Sequence, residues 1–285
     1  MGDRDDARPS FIRDAEGLDV NSLAADSGNA RDVVGDIAAD PPDAGISDAA
    51  GWRLTWADEF DQATCPDPAN WGYEHGLVRN HELQYYQPNN ASCQGGILTI
   101  EARREVVQTA SYSSTSMITS GKHAFTYGRF EMRARIPTEQ GSWPAFWTLG
   151  TGGWPQSGEV DIMEFYKNTV LANVCKPAGG TCAWSSVRQT LTSLGSSAWT
   201  SQFHIWAMEW DAQNIDLSLD GKLVNHFAVS DAVAAGQPNP YVGHPMYVIL
   251  NLAIGGDNGG DPASTTFPLR FEVDYVRVYQ RGGSP

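Results

Sequence analysis

The chain has 285 residues, of which 41% are hydrophobic and 11% aromatic, with ten tryptophans and a net charge of −15. That acidity excludes a nucleic-acid backbone as a partner, and no apolar run approaches the ~20 residues of a membrane-spanning helix. An uncharged polymer fits this balance better than a strongly anionic one. Most of the tryptophans are read as core, and the remainder as flat faces for a ligand.

Residues 1–50 stand apart, with 12 acidic and 4 basic residues and no Trp, Tyr or Cys. They bury too little apolar surface to offset the entropy of ordering, and read as a disordered acidic linker or N-terminal remnant. The alternative is a segment draped over the domain through Phe11, Ile12 and Leu18. Met1-Gly2-Asp3-Arg4 opens a charged stretch without the apolar centre of a secretory leader, so an extracellular location is inferred from the cysteines instead. A second unit, residues 51–282, carries strand signals from Trp52 onward.

In chain order the predicted strands are Gly96–Ala102, Arg129–Ile136, Trp143–Leu149, His204–Trp210, Ile215–Leu219, Met246–Ile254 and Phe271–Gln280. Arg129–Ile136 alternates charged and apolar residues, which gives one wet and one buried face. Asp220-Gly221 supplies a two-residue hairpin turn before Lys222-Leu223-Val224. A single helical turn is expected at Asp231–Ala235, and no long helix anywhere. Many short strands with Gly and Pro punctuation predict an all-β antiparallel sandwich. Trp206 and Trp210 are read as core, and His123 and His226 as structural.

Cys65, Cys93, Cys175 and Cys182 show neither a C-x-x-C pair nor zinc spacing. An even count in such a chain predicts two disulfides, Cys65 with Cys93 and Cys175 with Cys182 across Gly179-Gly180. Four reduced thiols are the alternative.

The most informative segment is Gly158-Glu159-Val160-Asp161-Ile162-Met163-Glu164-Phe165. Three acids among apolar residues are costly on a buried strand unless they have a use. On a regular strand Glu159 and Asp161 share a face and Glu164 points away. A bulge at Ile162-Met163 returns Glu164 to that face. Two carboxyls on one concave surface, roughly 5–6 Å apart, suit glycoside hydrolysis with a covalent intermediate, and Asp161 between them holds their proton affinities apart. A metal site and a solvated acidic strand are the competing readings. No histidine accompanies the acids, and the apolar neighbours argue against solvation.

GEVDIMEF resembles the signature of glycoside hydrolase family 16, in its bulged laminarinase-like branch with the additional Met. Trp56–Phe60, Asn80–Tyr86, Gly141–Trp147, Asn251–Gly256 and Val273–Tyr279 resemble further family segments, so the likeness spans Trp52 to Gln280. The resemblance implies a concanavalin-like β-jelly roll of two antiparallel sheets with a concave cleft. It implies an endo-acting, retaining β-1,3-glucanase, or one accepting mixed β-1,3/1,4-glucan. Glu159 would be the nucleophile, Asp161 the assisting carboxylate and Glu164 the acid/base. No cofactor is implied for catalysis; a structural Ca²⁺ would map to Glu59, the Gly96 backbone and Asp274, with pairing of Asp274 to a basic residue as the alternative.

Trp143, Trp147 and Trp154 are candidates for stacking on sugar rings, and Arg79 and Asn80 for binding sugar hydroxyls. The chain departs from the family at two points. Asn173 stands where the branch commonly has a His near the acid/base, and Asp257-Asn258-Gly259-Gly260 stands where many relatives place a Trp. The alternatives to a glucanase are the same fold acting on an agarose- or carrageenan-like galactan, a transglycosylase, and a non-catalytic glucan-binding lectin. A secreted monomer acting on polysaccharide, without nucleic acid or membrane, completes the expectation.

Overall fold

The computed structural model describes residues 51–282. The reading of 1–50 as a disordered segment lies outside the described residues. From the N-terminal side the strands are β1 (Trp52–Asp58), β2 (Gly72–Tyr73), β3 (Gln84–Tyr86), β4 (Ala91–Gln94), β5 (Ile97–Ala102) and β6 (Tyr112–Ser114). There follow β7 (Ser116–Ile118), β8 (Gly128–Arg135), β9 (Ser142–Gly150), β10 (Glu159–Tyr166), β11 (Thr169–Ala178) and β12 (Thr181–Thr190). The last five are β13 (His204–Trp210), β14 (Asn214–Leu219), β15 (Lys222–Ala228), β16 (Met246–Ile254) and β17 (Leu269–Arg281).

Two antiparallel sheets stack face to face. One runs β15-β14-β13-β8-β17-β5-β4, with β1 also on β17; the other runs β12-β11-β10-β9-β16-β7-β2. A small parallel pair, β3 with β6, is the exception to antiparallel pairing. Between the sheets lies one continuous core that includes Phe130, Met132, Trp206 and Trp210 from the first sheet and Val160, Ile162, Met163 and Leu250 from the second. Each such side chain contributes roughly 1.5–3 kcal/mol by leaving water. The core placement of Trp206 and Trp210 agrees with their alternation on one strand.

Local chemistry explains the elements. β5 alternates half-buried and buried residues, as a strand with one core face should. β9 and β16 are central, and their sequences are apolar on both faces because the second face forms the floor of a cleft. Pro144 lies one residue beyond the last β9–β10 pair, Glu164 with Ala145, where a missing amide proton costs that ladder nothing. Asp220 and Gly221 both take positive φ, 50° and 72°, the twist a two-residue hairpin requires. The expected turn at Asp231–Ala235 falls earlier, as a 3₁₀ turn over Val229–Ala232, because Val229 and Ala232 are the residues that reach the core. The remaining helices are single turns of at most five residues. Both disulfides form as paired above, Cys65–Cys93 and Cys175–Cys182.

Candidate active site

The site is built on β10. Between the pairs Asp161–Asn173 and Glu164–Leu171, β10 advances three residues while β11 advances two. Against β9 the shift falls between Asp161 and Met163. Ile162 and Met163, adjacent in sequence, therefore both enter the inter-sheet core. That is the expected bulge, and it leaves Glu159, Asp161 and Glu164 opposite Leu149, Trp147 and Ala145 on the other face. Trp147 and Ala145 form a second apolar cluster there, with Tyr247 and Ile249 of β16. The three acids thus stand on the floor of the concave sheet, nearly buried at 0%, 2% and 6% exposure.

Buried carboxylates need donors. Trp154 Nε1 donates to Glu159 Oε2 at 2.5 Å, and Trp143 Nε1 donates to Glu164 Oε1 at 2.8 Å. Asn173 Nδ2 donates to Asp161 Oδ2 at 3.1 Å and to Glu164 Oε2 at 2.8 Å. Indole N–H groups donate and never accept, so these bonds fix the oxygens without competing for their protons. Behind the strand, the Tyr241 hydroxyl bonds the Glu159 carbonyl at 2.9 Å and the Cys175 carbonyl at 2.6 Å. Gly158, at φ +83°, permits this: a Cβ there would stand 2.8 Å from the Tyr241 ring.

One wall of the cleft is the segment from Arg79 to Glu82, which lines it together with Trp143, Trp147, Asp161, Glu164 and Asn251. Arg79 lies 5.1 Å over the Trp147 ring and pairs with Glu74, which also accepts from Ser116 Oγ at 2.6 Å. Burial opposes the Arg79 charge, but Glu74 and Glu82 outweigh it and raise the guanidinium's hold on its proton. Asn80 Nδ2 donates to Glu82 Oε1 at 3.2 Å, and Gln84 Nε2 and the Tyr86 hydroxyl donate to Glu82 Oε2 at 2.8 and 3.0 Å. Trp147 Nε1 donates to Asn251 Oδ1 at 2.7 Å, whose amide in turn donates to Tyr86. The wall rests on the Gly256–Gly259 turn, where a Cβ on Gly256 would come within 2.6 Å of the Asn80 carbonyl.

Glu159 and Glu164 stand on one concave floor, each oriented by an indole donor, an arrangement compatible with the two carboxyls that glycoside cleavage uses. The model of glycosyl hydrolases family 16 matches residues 81–277. This chain belongs to glycosyl hydrolase family 16. The hydrolase is 39% identical over 258 residues to a β-glucanase of Rhodothermus marinus, covering 81% of this chain and 86% of that one. It superposes on the laminarinase catalytic domain of Thermotoga maritima with TM-score 0.73 and 35% identity, over 81% of this chain and 99% of that one. An endo-β-1,3-glucanase of Pyrococcus furiosus gives TM-score 0.73 and 34% identity, over 82% and 96% of the two chains.

Several expected roles change in this hydrolase. Trp143 and Trp147 are 3% and 4% exposed, which leaves little ring face for a sugar. Trp143 acts on Glu164 through its indole N–H, and Trp147 lies beneath Arg79. Trp154, half-buried, keeps part of its surface open while holding Glu159. Asn173, which stands where the branch commonly has a His and was a candidate for substrate binding, bridges two of the acids. Arg79 and Asn80 line the cleft.

The residues expected to hold calcium make other contacts in this structure. Arg277 engages both oxygens of Glu59 at 2.7 and 2.9 Å, and Arg133 pairs with Asp274. Gly96 adjoins the Glu59 backbone, and both carboxylates have guanidinium partners. No cluster of three metal-ligating side chains occurs among the described residues. Among the described residues, no helix is long and apolar enough to cross a membrane.

Glu74, Glu82, Tyr86, Asn251 and Tyr241 were not singled out from sequence. Glu82 and Tyr86 lie in Asn80–Tyr86, where the resemblance to a family segment is the one available signal. Nothing local marks Tyr241, whose partners are 66 and 82 residues away.

Proposed function

We propose that this hydrolase cuts internal bonds of β-1,3-glucan, or of mixed β-1,3/1,4-glucan, with retention of configuration. The observation that carries the reading is the bulge, which sets Glu164 on the floor beside Glu159 and Asp161. In the first step a Glu159 oxygen attacks the anomeric carbon while Glu164 gives its proton to the departing glycosidic oxygen. A glycosyl ester on Glu159 and a freed chain end result. In the second step Glu164, now ionised, takes a proton from water, the water oxygen bonds to the anomeric carbon, and Glu159 leaves as carboxylate. Asp161, beside both, opposes loss of the Glu164 proton before attack.

The glucan is supported by the names of the relatives and by the acidic chain, which disfavours a sulfated galactan. Arg79, Asn80 and the open part of Trp154 are the residues we assign to sugar contact. We assign residues 51–282 as the catalytic unit, and the two disulfides support an extracellular location. The test is a product profile on laminarin, lichenan, agarose and carrageenan, with proton NMR of the first-formed anomer. Short β-anomeric oligosaccharides from laminarin are expected, and Glu159→Gln should abolish their release. Binding to laminarin with no release from any polymer would support a lectin instead.

A further inference from the structure

We infer that Asn173 is a positioning residue, a non-titrating clamp that ties the acid/base Glu164 to Asp161 and sets the alkaline limb of activity. The inference rests on the roles proposed above for Glu159 and Glu164. Three observations carry it. The first is geometric: β11 sets Asn173 opposite Asp161, and the β10 bulge brings Glu164 within reach of the same amide, so one –NH₂ group serves both carboxyls. A regular histidine ring could donate from only one nitrogen to one of them at a time in its neutral form.

The second is the orientation of the amide. Reversed, Asn173 would set its oxygen against the Asp161 carboxylate, so the nitrogen faces that acid. The third is the cost. Asn173 is 5% exposed, and its Oδ1 is buried without a protein partner. An unsatisfied buried acceptor is destabilising, and a leucine of similar shape would avoid it. What leucine would lack is the pair of donors.

The charged and titratable groups around this clamp come from several elements. Glu159 shares β10, Arg79 and Glu82 face the cleft from the opposite wall, Tyr247 is on β16, and Arg188 on β12 is opposite Leu171, the strand partner of Glu164. Against that background the amide's contribution has a definite sign. A donor favours the ionised form of the carboxyl it bonds. Glu164 must carry its proton to cleave the bond, so the clamp holds the alkaline limb down while it fixes the carboxyl in place.

The test compares Asn173→Leu and the isosteric Asn173→Asp with the parent, each checked for folding by circular dichroism and melting. kcat/KM is measured against pH on laminarin and on an aryl β-laminaribioside whose dinitrophenolate leaves without a proton. In Asn173→Leu the alkaline limb is expected to rise by about one pH unit, the worth of one charge-assisted hydrogen bond. Laminarin kcat/KM should fall roughly 10- to 100-fold from misplacement of the acid, and that of the aryl substrate much less. Asn173→Asp should move the limb at least as far, because it adds a negative charge. An unmoved limb in the folded variants, or equal losses on both substrates, would reduce Asn173 to a structural role. Should Asn173→Leu fail to fold, Asn173→Asp alone decides. Activity surviving in Glu159→Gln would overturn the underlying reading and leave the clamp geometry as a separate matter.

Discussion

Removing one oxygen from Tyr241 should weaken both the fold and the chemistry, although the residue touches no substrate. Tyr241 is fully buried, and its hydroxyl joins the first residue of the catalytic strand to β11 through the carbonyls of Glu159 and Cys175. The Glu159 amide lies 3.3 Å from the same oxygen. Tyr241→Phe keeps the ring, its edge contact with Phe227 and the bond from Trp210 Nε1 to its carbonyl. What changes is the hydroxyl, and a buried carbonyl deprived of its donor costs about 1–3 kcal/mol. Two carbonyls share this hydroxyl, which gives about 2–3 kcal/mol. In a domain of 150–250 residues, 1 kcal/mol is about 2–4 °C in Tm, so melting should fall by about 5–10 °C. Loosening the backbone of Glu159 should also lower kcat on laminarin about tenfold. Tyr275→Phe is the control: its hydroxyl bonds Glu131 on the other sheet, and its loss should leave kcat alone. A Tyr241→Phe protein that melts within ~1 °C of the parent with unchanged kcat would refute the strand-clip argument.

Burial also pushes the Tyr241 and Tyr86 hydroxyls well up, and that of Tyr247 up to about 12. Above the ordinary tyrosine value near ~10, the unfolded chain sheds protons that the folded chain keeps, so stability should decline as pH rises past that point and be indifferent to these groups below it. Chemical denaturation at stepped pH checks this, and in Tyr241→Phe the slope should be shallower by one proton, about 1.4 kcal/mol per pH unit. Because Glu59 and Asp274 are paired with arginines, melting should not differ between EDTA and millimolar CaCl₂; a rise with calcium would show that a cation displaces these pairs.

Much of the scaffold was legible because periodicity is a local signal. His204–Trp210 and Met246–Ile254 have the predicted bounds: the first largely alternates, the second is a continuous apolar run, and they stop at Asp211 and Gly255. The short strands β2, β4 and β7 were not predicted, because two to four residues carry too little alternation to distinguish them from loop. The parallel pairing of β3 with β6 is set by where the cleft wall folds back onto the sheet, which no local pattern encodes. Tryptophans were legible as large rings but not as donors. Whether Trp143 offers its face or its N–H depends on what stands across the ladder from it, and that is a tertiary fact.

The carboxylate strand joins these two kinds of information. Counted along the sequence, Glu164 is five residues from Glu159, an odd step that would put the two on opposite faces. Counted along the neighbours, β9 uses one step, from Trp147 to Phe146, where β10 uses two, from Asp161 to Met163. The extra residue is absorbed toward the core, where Ile162 and Met163 are 1% and 0% exposed. A strand one residue shorter would gather the same three acids by regular alternation; in this longer strand the bulge is what does so. What it adds is a second core side chain at the centre of the strand and an unpaired step in the ladder. That step sets the height at which Glu164 meets Trp143 on one side and Asn173 on the other. The identity of the acids is therefore written in β10 alone, whereas their donors are written in β9, β11 and the loop bearing Trp154. This is why substitutions at Trp143, Trp154 and Asn173 should change how the acids work without changing which acids they are.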